Sequence, residues 1–158
     1  VKRTEPLQLY HSWPIFERGQ RFNLGLAYGC DALPWRGSGL APLDRCALAD
    51  HGIGLWECDL RDNALRWSAE VHDIFGLPPD ARVSRAEAVA LYCEESRAAM
   101  ERLRAYALKH GRGFTLDAEI RPARGGRRWM RLIAAPIWDG RHIVRLHGLK
   151  QDVSHLYR

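Results

Sequence analysis

The stretch from Phe114 to Gln151 most constrains what this chain can fold into, because it reads as three antiparallel strands in succession. Phe114, Leu116, Ala118 and Ile120 fall on one face, with Thr115, Asp117, Glu119 and Arg121 on the other. That strict alternation is the pattern of a half-buried strand. Arg124 to Arg127 turns the chain, and residues 128–138 form a longer strand that is apolar on both faces. A sheet covered on one side shows a single apolar face, so a doubly apolar strand predicts a second contact. Asp139-Gly140 predicts a two-residue type I′ hairpin, whose central positions both need φ > 0. The spacing places strands over 113–122, 127–138 and 141–151.

Upstream, Ile53 to Leu60 and Ala64 to Ser68 predict a pair of short strands around a turn at Arg61-Asp-Asn63. Ser68 is a favourable N-cap for a helix over 69–75, with Gly76 as its C′ residue and Leu77-Pro-Pro79 blocking continuation. Ser84-Arg-Ala-Glu87 is a capping-box sequence, opening a helix with Ala86, Val89, Ala90 and Cys93 on one side. Residues 95–110 are helical in period, with Ala99, Leu103, Tyr106, Ala107 and His110 along one face and Gly111 as the stop. A further short helix is expected over 42–50. Residues 1–40 differ in character and contain one alternating stripe, Phe22, Leu24, Leu26 and Tyr28. They are expected to pack on the sheet or on a second copy of the chain.

The bulk properties exclude several classes. Hydrophobic residues make up 46% and charged residues 27% of the 158, as in soluble globular proteins, and no apolar run is long enough to span a membrane. No secretory signal is visible, so a cytoplasmic location is expected. The net charge of +5 comes from basic residues spread along the chain rather than massed, which argues against nucleic acid as a partner. Cys30, Cys46, Cys58 and Cys93 include no Cys-x-x-Cys pair, so no zinc site is expected, and Cys58 and Cys93 read as small buried hydrophobes. His142 and His147 fall on opposite faces of one strand and cannot share a metal. No hydrolase, metalloprotease or phosphate-loop motif is present, and no catalytic residue is assigned.

Two short strands, a helical middle and three longer strands resemble the PAS domain with its trailing PAC segment. Gly52 to Pro78 resembles the opening strand pair and first helix of that family, and Phe114 to Ser154 its closing strands. Gln151 to Ser154 resembles the Asp-Ile-Thr ending that leads into a signalling helix, which marks Asp152 for signal relay. The resemblance spans about residues 41–154, leaving 1–40 as an N-terminal extension and dimerisation segment and 155–158 as the start of a connector. It implies an α+β fold, a five-stranded antiparallel sheet with helices on one face. It also implies a sensory or protein-interaction module of a bacterial-type signalling protein, a histidine kinase or cyclic-dinucleotide enzyme. Such a module forms a homodimer, relays to a C-terminal output domain and is not itself an enzyme.

The resemblance also organises the candidate sites. Trp56, Cys58, Trp67, Phe75, Leu91, Leu103 and Leu132 are the candidates to line an inner pocket for a small molecule of unspecified chemistry, although large side chains there more often fill a core. Trp129, Ile133, Ile137 and Trp138, with the stripe Phe22, Leu24, Leu26 and Tyr28, are the interface candidates. No cofactor is expected. Around the nearest cysteine the sequence Leu91-Tyr-Cys-Glu-Glu95 lacks the flavin signature of the family's photosensors, and His110, the one histidine in the long middle helix, is poorly placed as a haem ligand. The competing reading is a small-molecule-binding enzyme of cone-like α+β fold. That would need acidic side chains aimed into a cavity, whereas Glu57, Asp59 and Asp117 alternate away from their apolar neighbours.

Overall fold

The computed structural model describes residues 10–12 and 48–157. Six antiparallel strands make one sheet: β1 (Tyr10–Ser12), β2 (Ile53–Asp59), β3 (Leu65–Trp67), β4 (Phe114–Ile120), β5 (Arg128–Asp139) and β6 (His142–Asp152). Their spatial order is β1-β4-β5-β6-β2-β3. Three helices, α1 (Ala69–Ile74), α2 (Arg85–Ala90) and α3 (Glu94–His110), lie between β3 and β4 in sequence. A 3₁₀ turn, Ser154–Tyr157, follows β6.

The five strands expected from alternation are present with ends shifted by one or two residues. The sixth, β1, adds to the edge of β4 through Tyr10↔Leu116 and Ser12↔Phe114. Three residues are too few to carry a period, so no alternation marks it. The stripe Phe22, Leu24, Leu26 and Tyr28 lies outside the described residues, as does most of the helix expected over 42–50, of which 48–50 are helical.

Four local expectations change. The β5–β6 hairpin pairs Asp139 with His142, so its two loop residues are Gly140 and Arg141. Only Gly140 has φ > 0, at 59°, the pattern of a type II′ turn rather than type I′. Ser68 occupies the N-cap of α1 but makes no side-chain cap; its Oγ accepts from Leu55 N at 2.9 Å, tying the helix start to β2. The capping box at Ser84 and Glu87 forms, yet α2 stops at Ala90, so Cys93 does not share its face. Residues 91–93 are drawn out along the far end of β4, where Arg121 N donates to Leu91 O (2.7 Å) and Cys93 N to Glu119 O (2.9 Å). Cys93, half-buried rather than buried, becomes the N-cap of α3. Finally, α3 buries Ala99 and Ala107 but leaves Tyr106 exposed, its ring tilted against that of His110 with centroids 4.3 Å apart.

Register decides which side chains reach the helices. Leu132 pairs with Leu116 on one side and Lys150 on the other, and Ala134 pairs with Phe114 and Gly148. Gly148 in turn pairs with Trp56. Even-numbered residues of β4, β5 and β6 therefore share the inner face, and Phe75, Leu116, Ile120, Met130 and Leu146 are completely enclosed there. Gly148 is a required gap in that face. A Cβ at this position would collide with the Ile133 carbonyl oxygen. Without one, the Trp56 indole crosses the strand and donates from Nε1 to Ile133 O at 3.2 Å.

Candidate functional site

Between the sheet and helices α2 and α3 the core is not filled. A cavity of about 60 Å³ is bounded by Trp56 and Cys58 of β2, Leu132 of β5, Leu146 and Lys150 of β6, and Arg85 and Arg104 of the two helices. Of the seven pocket candidates read from the sequence, Trp56, Cys58 and Leu132 line this cavity. Trp67 and Phe75 stand one layer behind, stacked on each other at 4.8 Å. Leu91 and Leu103 pack against the core without reaching the cavity.

The residue missed by sequence reading is Lys150. It is 6% exposed, and its Nζ lies 4.8 Å from the centre of the Phe75 ring, 5.2 Å from Trp67 and 5.3 Å from Trp56. Cation–π attraction to three rings recovers part of the hydration that burial removes. Desolvation still dominates, pulling the ammonium from its ordinary 10.5 down to about 7, with nearby Cys58 acting weakly the other way. A signal was present: Lys150 shares strand parity with Leu146 and Gly148, a charge at a core position.

Its neighbours are also polar. Burial pushes the Cys58 thiol up, while Arg104 and Arg85 oppose that shift. The Tyr92 hydroxyl is raised by complete burial. Arg85 is ion-paired with Glu101, and Arg104 Nη2 donates to Asn63 Oδ1 at 3.1 Å. Both arginines are only half-buried, so the cationic rim of the cavity reaches solvent. A second, wider depression along β3 is lined by Leu65 to Trp67, His72 and Arg82; its two arginines, Arg66 and Arg82, are exposed to solvent.

The outer sheet face is polar where the sequence placed acids. Glu57 and Asp117, nearly inaccessible, pair with Arg145 (2.9 Å) and Arg131 (2.7 and 2.8 Å) and point away from the cavity. Tyr157 from the 3₁₀ turn hydrogen-bonds Asp117 and stacks on Trp129 at 4.2 Å. Of the interface candidates Trp129, Ile133, Ile137 and Trp138, Trp129 is thus the one covered by Tyr157. Ile137 is buried, and the other three are half-buried.

Asp152, the expected relay residue, organises the end of β6. Its Oδ1 accepts from Ser154 N (2.9 Å) and Ser154 Oγ (2.5 Å), and Ser154 Oγ accepts from Trp129 N (2.9 Å). Arg128 lies 3.9 Å from Asp152 and donates to the carbonyls of Asp73 and Ile74 at the end of α1. Among the described residues there is no cluster of metal-ligating side chains, and no helix is long and apolar enough to cross a membrane.

An antiparallel sheet with helices packed over a core cavity defines an α+β architecture. No family model matches the chain, and no curated protein matches it in sequence. Solved structures do. A sensory box histidine kinase/response regulator from Burkholderia thailandensis superposes with a TM-score of 0.62 at 18% identity, over 72% of this chain and 86% of that one. The N-terminal domain of a diguanylate cyclase with PAS/PAC sensor from Marinobacter aquaeolei gives 0.62 at 15% identity, over 67% and 99%. A light-oxygen-voltage domain studied with a flavin analogue gives 0.58 at 21% identity, over 71% and 85%. The chain has the PAS fold.

The flavin chemistry of that last neighbour does not fit this cavity. At about 60 Å³ it is smaller than the ~150 Å³ space that holds one benzene ring. Cys58, the cysteine on its wall, is a buried thiol of β2 with its proton held more tightly than usual. His110, the histidine weighed as a haem ligand, does not line the cavity.

Proposed function

We propose that this chain is the sensory module of a signalling protein, in which occupancy of the core cavity is transmitted along β6 to the 3₁₀ turn. The observation that carries this reading is the position of two residues on one strand. Lys150 stands in the cavity and Asp152, two positions on, holds Ser154 and through it the backbone of Trp129. A shift of Lys150 toward a ligand moves the strand that carries Asp152. The Asp152–Ser154 cap and the Tyr157–Asp117 contact are then the bonds that exchange between two arrangements. An output domain of the kinase or cyclase class, C-terminal to this module, is the partner that the similar structures suggest.

The test needs no ligand. Substituting Ala88→Leu narrows the cavity from its helical wall. Hydrogen exchange at the amides of Ser154 to Tyr157 should change relative to the parent chain. Unchanged exchange there, in a variant that is folded by circular dichroism, would refute the relay.

A homodimer through the outer face is the companion reading, on narrower ground than the sequence suggested. Tyr157 already covers Trp129, so Ile133 is the half-buried aliphatic side chain of that face on which this reading rests. Sedimentation showing a monomer at high concentration would remove it.

A further inference from the structure

The wall of the cavity is one-sided in charge. Lys150, Arg85 and Arg104 bring three cations to it, and no lining residue is a carboxylate. Arg85 has Glu101 as a partner and Arg104 has the side-chain oxygen of Asn63. Lys150 has no such group. Among the described residues nothing accepts a hydrogen bond from its Nζ, and its contacts are three ring faces. Buried ammonium groups normally find oxygen partners, and cation–π contacts replace only part of lost hydration. An anionic ligand would give that ammonium the oxygen partner that the protein does not supply.

Size and lining narrow the chemistry. About 60 Å³ admits a ligand smaller than benzene. Beyond the cations, the Cys58 thiol and the Tyr92 hydroxyl, the wall is apolar, with Leu132, Leu146, Met100 and Phe114 among its residues, which favours an apolar tail over a second charge. On the reading of this cavity as the sensed site, we infer that it takes a short-chain monocarboxylate, with the carboxylate on Lys150 Nζ and the alkyl tail against Leu132, Leu146 and Met100. The half-buried Arg85 and Arg104 form the entrance, and their charge draws the anion from solvent.

The experiment follows the thermal midpoint and tryptophan emission of the chain during titration with sodium propionate. Propionamide and sodium chloride at matched ionic strength are the controls. Propionate should raise the midpoint and change the emission of Trp56 and Trp67 saturably. Propionamide, of the same shape without the charge, should bind at least about tenfold more weakly, the scale of one charge-assisted hydrogen bond. Lys150→Gln and Lys150→Met should each lose the response, while Lys109→Gln, at an exposed position on α3, should keep it. The proposal is overturned if propionate gives no saturable response, if chloride reproduces it, or if folded Lys150 variants retain it. Equal binding of propionamide overturns the anionic specificity yet leaves the cavity as a ligand site. The ligand-free exchange measurement on Ala88→Leu judges the relay independently of either result.

Discussion

Lys150→Met should make this protein more stable. In the unfolded chain the ammonium titrates at its ordinary 10.5, and in the folded core at about 7. Below both values each state is charged, and the folded state carries the whole desolvation cost. Between them the unfolded state binds a proton that the folded state does not, so stability rises with pH. Above both the penalty is gone. At ~1.4 kcal/mol per pH unit of difference, the cost is about 5 kcal/mol near pH 6 and about 2 kcal/mol near pH 9. Loss of the cation–π contacts to Trp56, Trp67 and Phe75 offsets about 1–2 kcal/mol of the gain. Methionine keeps most of the side-chain volume, so the cavity term is small. The net expectation near neutral pH is a gain of about 2–3 kcal/mol, or about 5–10 °C in midpoint for a chain of this size. Cys58, Tyr92, Arg85 and Arg104 face the same cavity, so the measurement is the difference between variant and parent in urea unfolding at each pH. A variant no more stable near pH 6, or an advantage that does not shrink toward pH 9, would refute the reasoning.

Gly148→Ala should destabilise by about 3 kcal/mol or more, because its methyl meets the Ile133 carbonyl and evicts the Trp56 indole from its hydrogen bond; urea unfolding followed by tryptophan emission measures both effects. Ser84→Ala removes the acceptor of the Glu87 amide at the start of α2 and should cost about 1 kcal/mol in the same assay. Asp117→Asn leaves the Arg131 guanidinium without its bidentate partner and should cost about 2 kcal/mol, at the low end for a broken buried pair because Arg131 keeps some solvent. Tyr157→Phe, by contrast, should cost little stability but speed hydrogen exchange at Leu156, since it releases only the 3₁₀ turn from Asp117.

The strands were legible because period-two alternation survives in the sequence wherever one face is buried. Phe114 to Ile120 shows it without interruption, and the structure puts those residues where the pattern does. The caps were legible in sequence but not in outcome. Ser68 has the residue type of an N-cap, yet its hydroxyl is drawn to the amide of Leu55, a partner 13 residues back that no local pattern reveals. Cys93 looked helical in continuation of Val89 and Ala90, but the free edge of β4 at Glu119 to Arg121 captures its backbone. On the outer face, Trp129, Ile133 and Ile137 share the parity from which a second contact was expected, and the 3₁₀ turn supplies part of it by folding back over Trp129 through Tyr157, a contact with no local pattern.

Lys150 shows how the candidate site was hidden although its parity was visible. A lysine close to the end of a strand, as in His147-Gly-Leu-Lys150, is ordinarily a residue that reaches solvent. The pairing of Gly54 with Lys150 decides otherwise: β2 runs on past that point, so Lys150 lies inside the sheet and not at its rim. Gly54 cannot carry a side chain there, because a Cβ would strike Val71 of α1, so the helix closes down over the lysine instead. The close packing that forbids a side chain at Gly54 is thus what forces the ammonium among the rings, at an energetic disadvantage that hydrophobic substitution would remove. A protein under selection for stability alone would be expected to lose such a residue, whereas one that must respond to an anion has a physical use for it. The Lys150→Met variant separates the two, since the same substitution should raise the midpoint and abolish the response to propionate. A variant that gained stability and still responded would show that the charge is incidental to binding.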